Sequence, residues 1–523
     1  MKELDLFQAN IIYNSGGGFY LIAPNTEHIR DGLLRSINHI ERKFFDVFGT
    51  ALFMAIDYVP VSKESLMHVE GKDLRKIWSQ LFDKKDQKKS CRFASLIKNE
   101  YHRFFSPTTR RGDALRDVIT GEEFFPDERS INIDAGNVKQ ETNIQIQLGK
   151  ILRESVIMVV STEKLPYWKG TDIVVVNPAE LGFFYYFLRE ENLKEMSQRL
   201  QASVDNVHIV VFNNRDKDFS LKGKNNIYKM EFYGGNQFNG DTFDEMAKNP
   251  NFSRMGILRM DVDNLGSVFR SGIPSCRATL SRFAALSRSF DYFFSGYLNT
   301  IWEETSPEKS FIIYSGGDDL FIVGAWDITI QIAKKIRKEF KEFTCFNPAF
   351  TISGGIAIFP AKFPIMRGAS ESANEENRSK KHTVKYTTNK NAISFMGMPL
   401  HWEKEFPVVE KLKENIVKFL QQKVISKSFI SKIMTYADNA NIKNHEITQY
   451  KTYWIVSYDL TRFKEDIKEG EVKKLIDNCI VEICGNKPCL NGEAIDTDYH
   501  ALELWTFATR WAELETRINN SNK

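Results

Sequence analysis

The chain has 523 residues, of which 42% are apolar and 27% charged, and its formal net charge is +3. Those proportions fit a globular protein of about two to four domains and exclude a disordered chain or a uniformly basic nucleic-acid binder. No run approaches the ~20 apolar residues of a membrane span, nothing at the N-terminus reads as a secretory leader, and the six cysteines make no C-x-x-C pair. A soluble, cytoplasmic protein is expected, with no zinc site and no membrane partner.

Ile11 to Ala23, IIYNSGGGFYLIA, reads as an apolar hairpin around a glycine turn. Thr26 to Gly49 follows as an amphipathic helix, with Thr26 as N-cap and Ile29, Leu33, Leu34, Ile37, Ile40 and Phe44 on one face. Ala51 to Val61 reads as a strand. Residues 1–61 then supply the closing part of a βαββαβ unit without its first strand and helix. Lys63 to Phe105 is helical and basic, and Lys84–Lys89 with Arg92, like Arg110–Arg111, reads first as a solvated charge run. Pro107 to Asn143 is polar and loop-rich. From Ile144 to Tyr233 helix (145–154, 188–201) alternates with strand (155–160, 172–176, 207–212), a small α/β insert without a catalytic constellation. Tyr233–Asn236, YGGN, marks a turn.

Met255 to Gly266, MGILRMDVDNLG, is an apolar strand ending in Asp261, Val262 and Asp263. Ala278 to Trp302 has one-sided helical spacing. Phe311 to Trp326, FIIYSGGDDLFIVGAW, is a hairpin with Asp318 and Asp319 at its tip. A helix over Asp327–Thr344 and a strand over Ala349–Phe359 complete βαββαβ, the split-βαβ plan of ferredoxin-like folds. That plan brings Asp261 and Asp318 to one sheet edge.

Adjacent acids on a tight turn repel each other unless a cation sits between them. The glycines before them let a phosphate chain approach the backbone. The GGDD turn alone is equally a polar hairpin tip; the DVDN strand end and the helix between them favour a metal. The candidate catalytic residues are Asp261, Asp318 and Asp319, and the candidate ligands of magnesium or manganese are the same three with Val262 and Asp263. Ser315, Gly316, Gly317 and Asn264 are candidate nucleotide contacts. Ser15-Gly16-Gly17 lies over Ser315-Gly316-Gly317 as a weak internal duplication, with Gly18 in place of Asp318 and Phe19 in place of Asp319. Gly16 and Gly17 could form a snug turn against a nucleotide or serve packing alone.

RMDVDNLG followed by YSGGDDLFIVGAW resembles the second Palm domain of the large subunit of type III CRISPR effector complexes, above all the type III-A (Csm) branch. ISGGIAIFPAKFPI (352–365), KNAISFMGMPLHW (390–402) and YKTYWIVSYDLTR (450–462) resemble the same family. The resemblance implies an α+β protein with two ferredoxin-like Palm domains (the first incomplete), an α/β insert and a C-terminal helical bundle. The expected boundaries are 1–61 for the degenerate first Palm, 62–143 for a basic helical and loop region, 144–249 for the insert, 250–402 for the catalytic second Palm and 403–523 for the helical domain.

The implied activity is synthesis of cyclic oligoadenylate from ATP when the complex captures target RNA. The implied partners are other effector subunits, guide RNA and target RNA. Lys390, beside Asn391, matches the family's K-N pair; Lys380 and Lys381 read equally as a solvated helix face or as the triphosphate lysines of related GGDEF cyclases. The family often has a cysteine-based zinc site, but RDVITGEE (116–123) lacks the cysteine. No His-Asp dipeptide of an HD nuclease occurs in this chain. The expectation is therefore a split or truncated large subunit whose front half comes from a separate polypeptide. Two alternatives stand beside it: a GGDEF-like dinucleotide cyclase, from which Asp319-Leu320 and Leu265-Gly266 depart, and a catalytically silent scaffold organising guide and target RNA.

Overall fold

The computed structural model describes residues 4, 6–15, 17–67, 69, 72, 74–106, 114–124, 130–133, 136–152, 155–165, 174–177, 181–189, 207–211, 227–229, 242–384, 390–443 and 445–517. The chain divides into two units, residues 1–236 with 266–296, and residues 237–265 with 297–523. No described helix is long and apolar enough to cross a membrane.

In the first unit, β1 (Ile11–Ser15) and β2 (Gly18–Leu21) form the expected hairpin, and α1 (Glu27–Phe48) follows. The Thr26 hydroxyl accepts from the Ile29 N–H and caps α1. Aromatic rings bind the hairpin to α2 (Leu74–Ser90): Tyr20 meets Trp78 edge-on at 4.9 Å, and Trp78 meets Phe283 at 5.2 Å. Residues 51–61 form no strand. Among the described residues no neighbouring strand takes their backbone hydrogen bonds, and Phe53 instead packs on Phe93 at 4.9 Å.

In the turn of RDVITGEE, Asp117 is fully buried and organises the turn itself. Its carboxylate accepts from the N–H groups of Ile119, Thr120 and Lys139 and from the Thr142 hydroxyl. After α3 (Gln140–Leu152) comes the insert sheet: β3 (Ile157–Ser161), β4 (Val174–Val176), β5 (Phe184–Leu188), β6 (Val207–Val211) and β7 (Ile227–Lys229), ordered β7-β6-β3-β5-β4. The aromatic run FYYFL forms interior strand β5, ending at Leu188, where a helix was expected to begin; bulky aromatic side chains favour a pleated surface. Arg189 is not helical either, and the expected helix beyond it, like the YGGN turn, lies outside the described residues. The α4 helix (Leu280–Asp291) carries Phe283 into the aromatic cluster of this unit, and the long helix expected over 278–302 is interrupted by a wider turn at Tyr292–Tyr297 before α5 (Leu298–Thr305).

The second unit holds a six-stranded sheet: β8 (Met255–Val262), β9 (Ser310–Gly316), β10 (Asp319–Ala325), β11 (Ile352–Phe359), β12 (Ala392–Phe395) and β13 (Met398–His401). Their order is β9-β10-β8-β11-β12-β13. The first four have the ferredoxin-like arrangement, with β10 antiparallel to both β8 and β9, as the sequence implied. The α6 helix (Trp326–Phe343) and α7 (Ile365–Lys381) accompany the sheet, and β12–β13 extends it beyond the expected four strands. Residues beyond the sheet form the expected helical bundle: α8 (Phe406–Gln421), α9 (Lys427–Ala440), α10 (Lys451–Glu465), α11 (Gly470–Gly485) and α12 (Ala501–Thr516). Trp505, Ala508 and Trp511 on α12 are buried in it.

The two glycine hairpins share a defect. Pairing slips between Ile11 and Tyr13 in the first and between Ile312 and Tyr314 in the second. Ser15 pairs with Gly18, as Gly316 pairs with Asp319. The pairing therefore sets Gly17 over Asp318 and Gly18 over Asp319, one residue away from the alignment of the Ser-Gly-Gly runs, because the bulge and the two-residue tip fix the register.

Candidate functional site

Strand β8 is buried along both faces, with Arg259 and Asp261 alone partly exposed. An apolar strand therefore delivers two charged groups to one side of its C-terminal end. Asp261 pairs in register with Asp319 on β10 and with Ser353 on β11. At the next residue the Val262 N–H donates to the Asp318 carbonyl at 3.0 Å, which ties the strand end to the hairpin tip. Gly317 turns that tip with φ +72°, a conformation glycine adopts without strain. Asp261, Asp318 and Asp319 are thus brought together, as expected.

The electrostatics record the crowding. Burial raises the Asp318 pKa, repulsion from Asp261 and then Asp319 adds to it, and the group is pushed up to about 7. Burial also raises Asp261, against the pull of Lys380, and raises Asp319, against a hydrogen bond from Tyr314 and the charge of Arg259. Asp319 Oδ1 is buried without a hydrogen-bond partner among the described residues.

Asp263 has a different setting. Its Oδ2 accepts from the Thr351 hydroxyl at 2.7 Å, the Ser353 hydroxyl at 2.9 Å and the Asn391 N–H at 3.1 Å. That oxygen fastens the start of β11 to the start of β12, while Oδ1 is buried without a partner among the described residues. Asn264 takes φ +56° in the following turn, and its Oδ1 accepts from Lys390 Nζ at 2.7 Å. Lys390 and Asn264, two predicted nucleotide contacts, therefore meet at the rim. Ser315 is buried on β9, and Gly316 pairs with Asp319. Gly17, with φ +70°, belongs to the first unit, and Gly16 lies outside the described residues.

Lys380, in the last turn of α7, lies beside these acids. Its ammonium bonds to Asp261 Oδ2 and to Glu376 Oε1, and Glu376 also faces Arg259 at 3.6 Å. Burial opposes the charge of Lys380, but Asp261 and Glu376 outweigh it and raise its pKa. This placement depends on Gly355 of β11: a Cβ there would lie 2.1 Å from the Glu376 nitrogen and 2.7 Å from the Ser372 carbonyl oxygen. Glycine lets α7 rest directly on the strand. Glu376 and Arg259 had no signal beyond charge in an otherwise apolar or helical context.

Among the described residues no three or more His, Cys, Asp or Glu side chains form a preformed metal cage. Magnesium requires less, because one or two carboxylates suffice when water and substrate phosphates complete its shell. The opposed Asp261 and Asp319, the neighbouring Asp318 and the unbonded Asp319 oxygen supply hard oxygen donors of that kind. The residues present fit magnesium or manganese.

Residues 254–394 match the family model "Cas10/Cmr2, second palm domain", and residues 1–107 match "Csm1 subunit domain B". The chain is 28% identical over 481 residues to the "CRISPR system single-strand-specific deoxyribonuclease Cas10/Csm1 (subtype III-A)" of Methanocaldococcus jannaschii, covering 82% of this chain and 58% of that protein. It is 29% identical over 385 residues to the protein of the same description from Enterococcus italicus, covering 73% and 46%. The chain spans about half the length of these curated relatives. Its fold is similar to that of a Csm1–Csm4 cassette in complex with one ATP, with TM-score 0.66 and 18% identity over 99% of this chain and 64% of that one. A Csm1–Csm4 cassette in complex with cA4 is similar at TM-score 0.65 and 18% identity, with the same coverage.

Proposed function

We propose that this chain, a homologue of the Cas10/Csm1 subunits of subtype III-A CRISPR systems over most of its length, joins ATP into cyclic oligoadenylate as the large subunit of an RNA-guided effector complex. The observation that carries this reading is the register pair Asp261–Asp319 beside Asp318 at a glycine hairpin tip. Asp261, Asp318 and Asp319 hold the metal, with the Val262 carbonyl beside them and Asp263 fixing the strand end that presents them. Bound magnesium or manganese would supply activation of the attacking 3′-hydroxyl and charge neutralisation on the phosphates. Gly316 and Gly317 leave room for the triphosphate against the backbone, and Ser315 lies next to them. Lys390 and Asn264 hold its far end, and Lys380 supplies a second positive charge. The protein's part is mainly positioning and electrostatics.

The complexes of similar proteins with ATP and cA4 support ATP as substrate, and their pairing with Csm4 supports a role among effector subunits. Guide RNA and target RNA complete the proposed partners. The first unit's two-stranded hairpin, followed by exposed Leu34, Leu52 and Met54, is the surface we assign to a partner polypeptide.

One observation favours the scaffold alternative: Lys380 already neutralises Asp261. Incubating the purified complex with labelled ATP, Mg²⁺ and matching target RNA, and resolving products by mass, separates the readings. Cyclic adenylates should form with target only, and Asp318→Ala with Asp319→Ala should abolish them without loss of assembly. Product from the double variant would remove the acids from the chemistry, and no product from the native complex would leave the scaffold.

A further inference from the structure

Helix α7 ends at Lys381, and the next residue, His382, is a junction. Its N–H donates to Ser379 in the last turn, and its carbonyl accepts from the Lys390 N–H at 3.1 Å. The backbone that carries Lys380 and the backbone that carries Lys390 are therefore tied to the same residue. The His382 ring is held by Glu405: Nε2 lies 2.6 Å from Glu405 Oε2. The Glu405 side chain is 0% exposed, immediately before α8. Its Oε2 also accepts from the His401 N–H at 2.9 Å, and its Oε1 accepts from the Thr497 hydroxyl at 2.5 Å. Tyr499 stacks on the His382 ring, centroids 5.5 Å apart and planes 22° from parallel, while its hydroxyl donates to the Pro399 carbonyl. Thr497 and Tyr499 belong to the segment leading into α12.

A buried carboxylate with several fixed donors holds its partners to one geometry, because any displacement leaves charge unsolvated. Among the described residues, the two lysines of the proposed nucleotide site, Lys380 and Lys390, lie on the backbone segments joined through His382. We propose that His382, Glu405, Thr497 and Tyr499 are positioning residues that set Lys380 and Lys390 for the triphosphate, so that the placement of the C-terminal helices governs nucleotide affinity. None of the four touches the nucleotide; they act through the ends of the two lysine-bearing segments. This inference rests on the nucleotide-binding reading of the Asp261–Asp318–Asp319 site.

The test is titration of the full chain with ATP and Mg²⁺, combined with thermal unfolding. Thr497→Val removes one donor from Glu405 with little change in volume, and Tyr499→Leu removes the stacked ring. Each should weaken ATP by about three- to tenfold, the range expected for residues coupled through one network. In a Lys380→Ala, Lys390→Ala background the same changes should cost less than about twofold, because the groups they position are gone. An equal loss in both backgrounds would reduce the cluster to general stability and overturn the inference, as would unchanged affinity in the native background. Failure of the native chain to bind ATP would instead overturn the proposed function itself, and this inference with it.

Discussion

Lys380 hydrogen-bonds Asp261 across 119 positions of sequence, joining the end of α7 to the end of β8. The same ammonium reaches Glu376, one turn earlier on its own helix. A partly buried amine is thus held between a strand carboxylate and a helix carboxylate, where the proposed metal would otherwise be the nearest positive charge. Lys380 and a divalent cation would compete for Asp261, so Lys380 sets how negative the site is before a metal arrives.

Replacing Lys380 with Met tests that competition. Product formation should fall at least about tenfold, because a charge near the phosphates is lost. Mg²⁺ binding without nucleotide should be no weaker than in the native chain, because a competing cation is gone. Calorimetric titration of Mg²⁺ reads the second effect, and weaker binding would mean that Lys380 supports the metal site instead of masking it.

Gly355→Ala should damage the site without touching a reactive group. The new methyl would meet the α7 backbone 2.1 Å away, and a backbone cannot rotate aside as a side chain can. Overpacking of this kind costs about 1–3 kcal/mol. Thermal unfolding of the variant should show a lowered midpoint, and ATP affinity should fall because Lys380 and Glu376 move with the helix. An unshifted midpoint with native affinity would show that α7 adjusts freely.

Asp117 gives a pH signature to the first unit. Burial alone would raise its pKa, but hydrogen bonds from Thr120, Thr142, Lys139 and Ile119 overcome it and hold the group at about 2. A depressed folded value stabilises above the unfolded pKa of 3.8 and loses that contribution as pH falls through about 2. Asp117→Asn should therefore lower stability at pH 7 by about 1–3 kcal/mol, the cost of disturbing a buried charge-assisted network. The gap between variant and native chain should narrow as pH falls below 4, which urea unfolding at several pH values would read.

The first four strands of the six-stranded sheet were legible because their signals are local. Apolar strands of regular length, a Gly-Gly tip and one-sided helices each declared themselves within a short window, and strand order followed from the plan. The acids at strand ends were legible for the same reason. Lys380 stayed open between a solvated helix face and a phosphate contact, and only the contact permitted by Gly355 turns it inward. The 51–61 segment failed for the opposite reason. Its nearly continuous apolar run has strand character, but a strand exists only with a neighbour to pair with, and local composition carries no information about that. The anchor around Glu405 joins positions 382, 401, 405, 497 and 499, a set with no sequence spacing to betray it.

The matching slips at Ile11–Tyr13 and Ile312–Tyr314 show that one ribbon geometry exists twice, once with acids at its tip and once with glycines. Shape and charge are therefore separable inheritances in this chain. One copy carries the burden of like charges held close, and with it the proposed chemistry. The other keeps the slip and the Ser15–Gly18 pairing while being released from the repulsion, free to change its contacts without cost to the acidic site.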